Sequence, residues 1–169
     1  MLNERMNAAL NEQVNAEMYS AYLYLSMQAY FQKLNLTGFV NWMNIQVQEE
    51  MAHARGLYDY IQERDGEIIL DAIKKPDQTW NSPLEVFEAV LKHEQFVTSL
   101  INKLADVADE TKDRAAGLFL QWYIKEQVEE EASVSGVLET LRMIKDDKHA
   151  LLLLDKDLAT RVFNPPVIG

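Results

Sequence analysis

The sequence predicts an all-α fold: a four-helix bundle with one long crossover between its second and third helices and a short fifth helix at the C-terminus. Three observations carry this. Six glycines and four prolines in 169 residues are too few for a turn-rich β protein. Four long stretches repeat apolar residues at helical spacing. Two short links flank one long one, which is the connectivity of a bundle in which one connection travels its full length. The length suits a single domain, 1–169, with no repeat of solenoid period.

The first helix is expected over about residues 3–34, where Met6, Leu10, Val14, Ala21, Tyr24 and Phe31 keep the period. The stretch 35–38 breaks it. Thr37 is placed to cap a second helix, which runs to Asp65 and Gly66, where glycine offers a stop. Residues 66–81 hold a proline and no sustained helical period, so they read as the extended crossing, long for a loop in a compact domain. Ser82, Pro83 and Glu85 then form a start signal: serine as N-cap, proline at the first helical position, glutamate at the third. The third helix is expected to reach about residue 110. After the polar turn DETKD a fourth spans about 114–145, closing a bundle over 3–145. A short helix over about 147–163 ends at Asn164, Pro165 and Pro166.

Sixteen basic against 27 acidic side chains give a net charge of -11, which disfavours nucleic acid and favours cations. Cysteine is absent, removing thiolate-bound metals, iron-sulfur clusters, disulfides and thiol nucleophiles. Any metal must use oxygen and imidazole. The N-terminal segment lacks the pattern of a signal peptide and no apolar run approaches the ~18 residues of a membrane span, so a cytoplasmic protein with no membrane partner is expected.

The central observation concerns EEMAHA, residues 49–54. At about 100° per residue, Phe39, Met43, Leu57 and Ile61 fall within roughly 20° of Glu50, and His53 lies about 60° away on the same face. Glu50 is therefore centred in an apolar stripe. The same count centres Glu17 among Met6, Leu10 and Tyr24, and Glu94 among Phe87, Ile101 and Ala105. Glu130 sits among Phe119, Tyr123, Val137 and Leu141, with Glu126 and Gln127 at about 40° and 60°. All four glutamates are near mid-helix, the height that stays level when helices alternate in sense, so they should converge in one layer.

A lone glutamate near a stripe usually sits at its edge and reaches water along its methylenes, and a lone histidine is usually a hydrogen-bonded core or surface residue. Four central, level carboxylates are another matter. Burying several anions costs several kcal/mol each without compensation, and no Lys or Arg lies at the centre of these stripes. Bound metal supplies the missing charge. Glutamate on each of two helices plus Glu-x-x-His on the others is an established template for di-metal carboxylate bundles, with which this sequence is compared. Carboxylate and imidazole suit Fe(II), Mn(II) or Zn(II). The fourth helix departs from the template: it reads Gln127, Val128, Glu129, Glu130, with no second histidine, which makes the two positions unequal and one ion less firmly held.

The segments LNEQVNAEMYSAYLYLSM, QEEMAHARGLYDYI, KHEQFVT, FLQWYIKEQVEEE and LLLLDKDL, covering nearly the whole chain, resemble the ferritin family, most of all the non-haem ferritins of bacteria and archaea. The resemblance implies a first iron position at Glu17, Glu50 and His53, with Glu50 bridging to a second completed by Glu94 and Glu130. Gln127 would contribute through a ligand or water contact. Glu49, Glu126 and Glu129 would form an additional nearby iron site, for which a solvated acidic patch is the plain alternative. Tyr24 would stand beside the di-iron centre and supply an electron, its alternative being a packing tyrosine. Met51 matches the haem-binding methionine of bacterioferritins, but the fourth-helix motif is not of that type, so haem is not expected.

The implied activity is ferroxidase: Fe(II) oxidation by oxygen or hydrogen peroxide, then storage of ferric mineral inside a homo-oligomeric cage, usually of 24 subunits. Two ions ~3.5 to 4 Å apart could deliver two electrons to one oxidant. The apolar ALLLL run and the crossing with Trp80 are candidate interfaces. Asp109, Glu110 and Asp113 near the third turn are pore candidates. Rival readings are a di-iron oxidase or peroxidase, a haem-binding bacterioferritin-like protein, a DNA-protecting miniferritin and a metal-free scaffold.

Overall fold

The computed structural model describes residues 2–168; residues 1 and 169, the ends of the expected domain, lie outside the described residues. Five helices follow in order: α1 (Glu4–Lys33), α2 (Thr37–Glu63), α3 (Pro83–Glu110), α4 (Arg114–Ile144) and α5 (Lys148–Leu158). Helix α1 packs along α2 and α3 along α4, α1 faces α3, and α5 lies against α2 and touches α4. The four-helix bundle with one long crossover is as expected. No helix among the described residues is long and apolar enough to cross a membrane.

Local chemistry sets the ends. Asn3 accepts from Arg5 N, Ser82 from Glu85 N, Asp113 from Ala116 N and Asp147 from His149 N, capping α1, α3, α4 and α5. Thr37 does not cap α2. It is already helical, Leu36 stands at the N-cap without a side-chain bond, and the exposed amides are met from elsewhere. Asp155 of α5 accepts from Gly38 N at 2.8 Å and Phe39 N at 3.1 Å, a cap supplied by a helix more than a hundred residues away. Gly38 permits that approach, since a Cβ there would lie 1.6 Å from the Asp155 carbonyl oxygen.

The stop after α2 also differs from expectation. Asp65, not Gly66, takes the left-handed conformation (φ 52°), and Gly66 N returns to Ile61 O at 2.8 Å, a Schellman closure. The short fifth helix stops at Leu158 rather than at 163. Asn41 Nδ2 donates to the carbonyls of Leu158 and Arg161 at 3.2 and 3.0 Å, drawing the chain off the helix axis.

Residues 64–82 form the extended crossover, held to α1 by side-chain amides. Asn7 and Asn11 donate to Glu67 O at 3.0 and 2.9 Å, Asn11 Oδ1 accepts from Ile69 N at 2.7 Å, and Asn15 Nδ2 reaches Asp71 O at 3.3 Å. Further along, Ser26 Oγ donates to Asp77 O at 2.6 Å. Asparagines four apart on a helix present one row, which here satisfies an extended segment that has no secondary structure of its own. Trp80, in the candidate interface, is half-buried and packs edge-on against Tyr30. The surface-exposed apolar residues of the crossing are Ile69, Leu70 and Ile73.

The core is divided. One cluster gathers Phe31, Phe39, Trp42 and Phe87; the other gathers Leu10, Leu57, Ile61, Ile101 and Leu120. Between them, each long helix places a buried glutamate: Glu17, Glu50, Glu94 and Glu130. That break at one height is the layer anticipated from mid-helix spacing.

Candidate metal centre

Within the layer, Glu17, Glu50, His53 and Glu94 are at most 1 % exposed and Glu130 is 4 % exposed. Glu17, Glu50 and His53 bring ligand atoms within 4.8 Å of one another, as do His53, Glu126 and Glu130. The residue common to both groups is His53, whose Nδ1 lies 3.6 Å from Glu50 Oε2 and whose Nε2 lies 3.9 Å from Glu126 Oε1. Glu94 belongs to neither group; it accepts a hydrogen bond from the fully buried hydroxyl of Tyr24. Gln127 is buried and accepts from Thr98 Oγ1 at 3.0 Å.

Polar neighbours fix the carboxylates on one side only. Gln13 Nε2 donates to Glu17 Oε1 at 2.9 Å, and Gln46 Nε2 donates to Glu130 Oε2 at 2.9 Å. Tyr123 holds the α2 backbone at the centre by donating to His53 O at 2.8 Å. Glu17 Oε2, Glu94 Oε2 and His53 Nε2 are buried without any partner. Three buried lone-pair donors left without partners in one layer is the state that a bound cation satisfies.

Electrostatics points the same way. Burial, then Glu94, Glu17 and Glu130, hold the Glu50 carboxyl well above the usual carboxylate range. Burial also raises Glu17, against hydrogen bonds that favour its charged form. Burial and Glu130 push Glu94 up to about 8, against the bond from Tyr24. Burial, with Glu49 next, takes Glu130 up to about 7, and burial with Glu130 and Glu129 takes Glu126 up to about 7. Burial depresses His53 to about 4, leaving a neutral imidazole with a free lone pair. No lysine or arginine among the described residues pairs with Glu17, Glu50, Glu94 or Glu130. The residues therefore fit one or two divalent ions, which would replace shared protons as the compensating charge.

The outer acids are arranged differently. Glu49 and Glu126 are half-buried and Glu129 is exposed, each close enough to raise another's proton affinity. Glu49 is bound by Arg161 at 2.8 Å. Met51 is exposed on α2, turned away from the layer. Of the pore candidates, Asp113 caps α4 and pairs with Arg64 at 3.0 Å, and Glu110 pairs with Arg5.

Residues to which the sequence reading gave no role at the site are Gln13, Gln46, Tyr123 and Arg161. Gln13 carried a legible signal, standing one turn before the Glu17 that it bonds; Gln46 stands one turn before Glu50 but bonds Glu130 on α4, which spacing along α2 does not reveal. Arg161 carried none, because its partners are more than a hundred residues away.

Fold and layer together make a four-helix carboxylate bundle in which acids from all four helices meet one histidine. The ferritin-like domain model matches residues 7–144. A bacterial non-heme ferritin from Bacteroides fragilis is 42% identical over 161 residues, covering 95% of this chain and 100% of its own. An open pore ferritin from the hyperthermophilic archaeon Archaeoglobus fulgidus superposes with a TM-score of 0.94 at 51% identity, covering 96% of this chain and 100% of the other. An engineered closed form of the A. fulgidus ferritin gives 0.96 at 51% identity, covering 97% and 100%. The chain belongs to the ferritin family.

Proposed function

We propose that this protein is a ferroxidase and iron store: it oxidises Fe(II) to Fe(III) at the buried layer and retains the ferric product as mineral inside a cage of its own copies. Its substrates are Fe(II) and oxygen or hydrogen peroxide, and its compartment is the cytoplasm. The observation that carries the reading is the convergence of four buried, uncompensated glutamates with a neutral His53, three of whose polar atoms have no partner.

Iron supplies the redox chemistry: two Fe(II) ions each give up one electron to a shared oxidant. The chain's part is to gather and position them. Glu17, Glu50 and His53 form one position; Glu94 and Glu130 supply the oxygen donors of the other, with Gln127 beside it and Glu50 shared. Oxygen-rich ligation favours the Fe(III) product. His53 needs no deprotonation to bind, whereas Glu50, Glu94 and Glu130 release protons as the ions enter. Tyr24 would pass an electron to the centre, a role that its hydrogen bond to Glu94 supports. The second position, with no histidine of its own, and the adjoining Glu49, Glu126 and Glu129 give iron a way out toward the store.

The test adds Fe(II) in air beyond two ions per subunit, follows ferric absorbance and sizes the product. Iron-loaded particles of many subunits are expected. Oxidation that stopped at about two irons per subunit, with none retained, would instead indicate a di-iron oxidase. Glu50→Ala is expected to slow the fast phase by about a hundredfold or more, as for loss of a metal ligand, and far more than Glu129→Ala. A Glu50→Ala rate equal to the parent's would remove the proposed centre.

A further inference from the structure

The outer acids already hold a cation. Arg161, in the segment after α5, donates from Nη2 to Glu49 Oε2 at 2.8 Å and from Nη1 to Gln46 Oε1 at 2.5 Å. Gln46, fully buried, donates in turn from Nε2 to Glu130 Oε2 at 2.9 Å. The guanidinium lies over the Trp42 ring, 5.0 Å from its centroid, and Asn41 fixes the backbone of the same segment through Arg161 O at 3.0 Å. Arg161 and Glu49 are both largely shielded, with side chains 25% and 17% exposed. Four contacts therefore bring one arginine to the edge of the metal layer, and no other lysine or arginine among the described residues pairs with Glu49, Glu126, Glu129 or Glu130.

We infer that Arg161 is a displaceable counter-ion of the outer acidic group, a positioning residue that sets how tightly a metal ion binds at Glu49 and links that event to Glu130 through Gln46. The inference rests on the proposed iron chemistry of the centre but concerns a residue that chemistry does not require. An ion entering between Glu49 and Glu126 must compete with a charge-assisted hydrogen bond that the inner carboxylates do not have. Glu17, His53 and Glu94 offer unpartnered atoms, so the inner positions fill first; Glu49 fills last. Once Arg161 withdraws, Gln46 loses the donor on its carbonyl, and its hold on Glu130 is free to relax. Because coupling is reciprocal, an occupied outer position loosens Glu130 from Gln46, and a Glu130 engaged by metal weakens the grip on Arg161. Iron held by the inner pair is thus released outward only when the outer position can accept it.

The test uses the assembled protein, metal-free and without oxygen, titrated with Zn(II), which does not change oxidation state. Binding is read by calorimetry in the parent, Arg161→Gln, Glu49→Gln and the double variant. In Arg161→Gln the weakest class of Zn(II) is expected to bind about tenfold tighter or more, the scale of one charge-assisted hydrogen bond. Arg161→Lys, which keeps the charge and loses the fork, should fall between the two. In the Glu49→Gln background the arginine substitution should have no effect, a coupling that mere support of the tail would not produce. Equal weakest-class affinity in parent and Arg161→Gln overturns the inference, and so does an equal shift in the Glu49→Gln background. A variant that fails to assemble is replaced by Asn41→Ala, which frees the tail without removing charge and is expected to shift the weakest class in the same direction; no shift there overturns the inference. A parent that binds Zn(II) this way yet shows no fast oxidation of Fe(II) would sink the proposed function and leave the role of Arg161 standing.

Discussion

Each buried carboxyl of the layer keeps its proton to a higher pH in the folded chain than in the unfolded one. Glu94 is raised to about 8 and Glu130 to about 7 from an ordinary value of 4.5, burial being the largest cause in both. Between those limits the folded chain holds protons that the unfolded chain has released, so the stability of the metal-free protein falls as pH rises through the window and is full below it. For Glu130 alone the loss is on the order of 3 kcal/mol. The thermal midpoint of metal-free protein is therefore expected to drop between pH 5 and pH 8.5, and Zn(II) to restore it. Glu94→Gln should flatten the metal-free profile. A profile already flat in the parent would mean that the carboxylates are compensated by something other than shared protons. These residues were legible in sequence because a 3.6-residue period turns position into direction. Arg161 was not, since no period relates α2 to the segment beyond α5.

At the scale of elements, the sequence signals that succeeded were local, as at Ser82, Pro83 and Glu85, where cap and helix lie within four residues. Thr37 misled for the opposite reason. It resembles a cap, yet the amides of Gly38 and Phe39 are answered by Asp155, and only a folded α5 can bring that carboxylate into place. Gly66 misled in a smaller way, because the Schellman closure puts its left-handed residue one position earlier, at Asp65. Helix α5 is thereby a structural part of the bundle, which gives it a measurable weight. Asp155→Ala should cost about 1–3 kcal/mol, the range for hydrogen bonds to a charged group, and speed amide exchange at Gly38 and Phe39. Asp155→Asn should recover part of it. Unchanged exchange at both amides would mean that water caps α2 equally well. Gly38→Ala should do more damage than Asp155→Ala, because its methyl group collides with the α5 backbone rather than merely removing a bond.

For the whole molecule, a net charge of -11 works against self-association of like subunits, so a cage needs apolar contact to overcome repulsion. The single subunit offers it in two places: Leu70 on the crossover is 64% exposed beside Ile69 and Ile73, and Leu153 on α5 is 55% exposed beside Leu152. Neither patch contributes to the buried layer, whose candidate ligands all come from one bundle. Oxidation and storage should therefore separate on mutation. Leu70→Glu is expected to shift the protein to small assemblies in sedimentation velocity, with Leu153→Glu reporting the second surface independently. The dissociated variant should still oxidise its first two Fe(II) per subunit at a rate within about twofold of the parent, because surface substitutions away from the centre leave its ligands in place. It should then lose its ferric product as precipitate, having no enclosed volume to hold it. If a dissociated variant lost the fast phase as well, the layer would depend on a neighbouring subunit for its geometry, and the bundle would not be the catalytic unit. If both variants kept the parental size, the faces that build the cage would lie elsewhere on the bundle, and the exposed leucines would need another explanation.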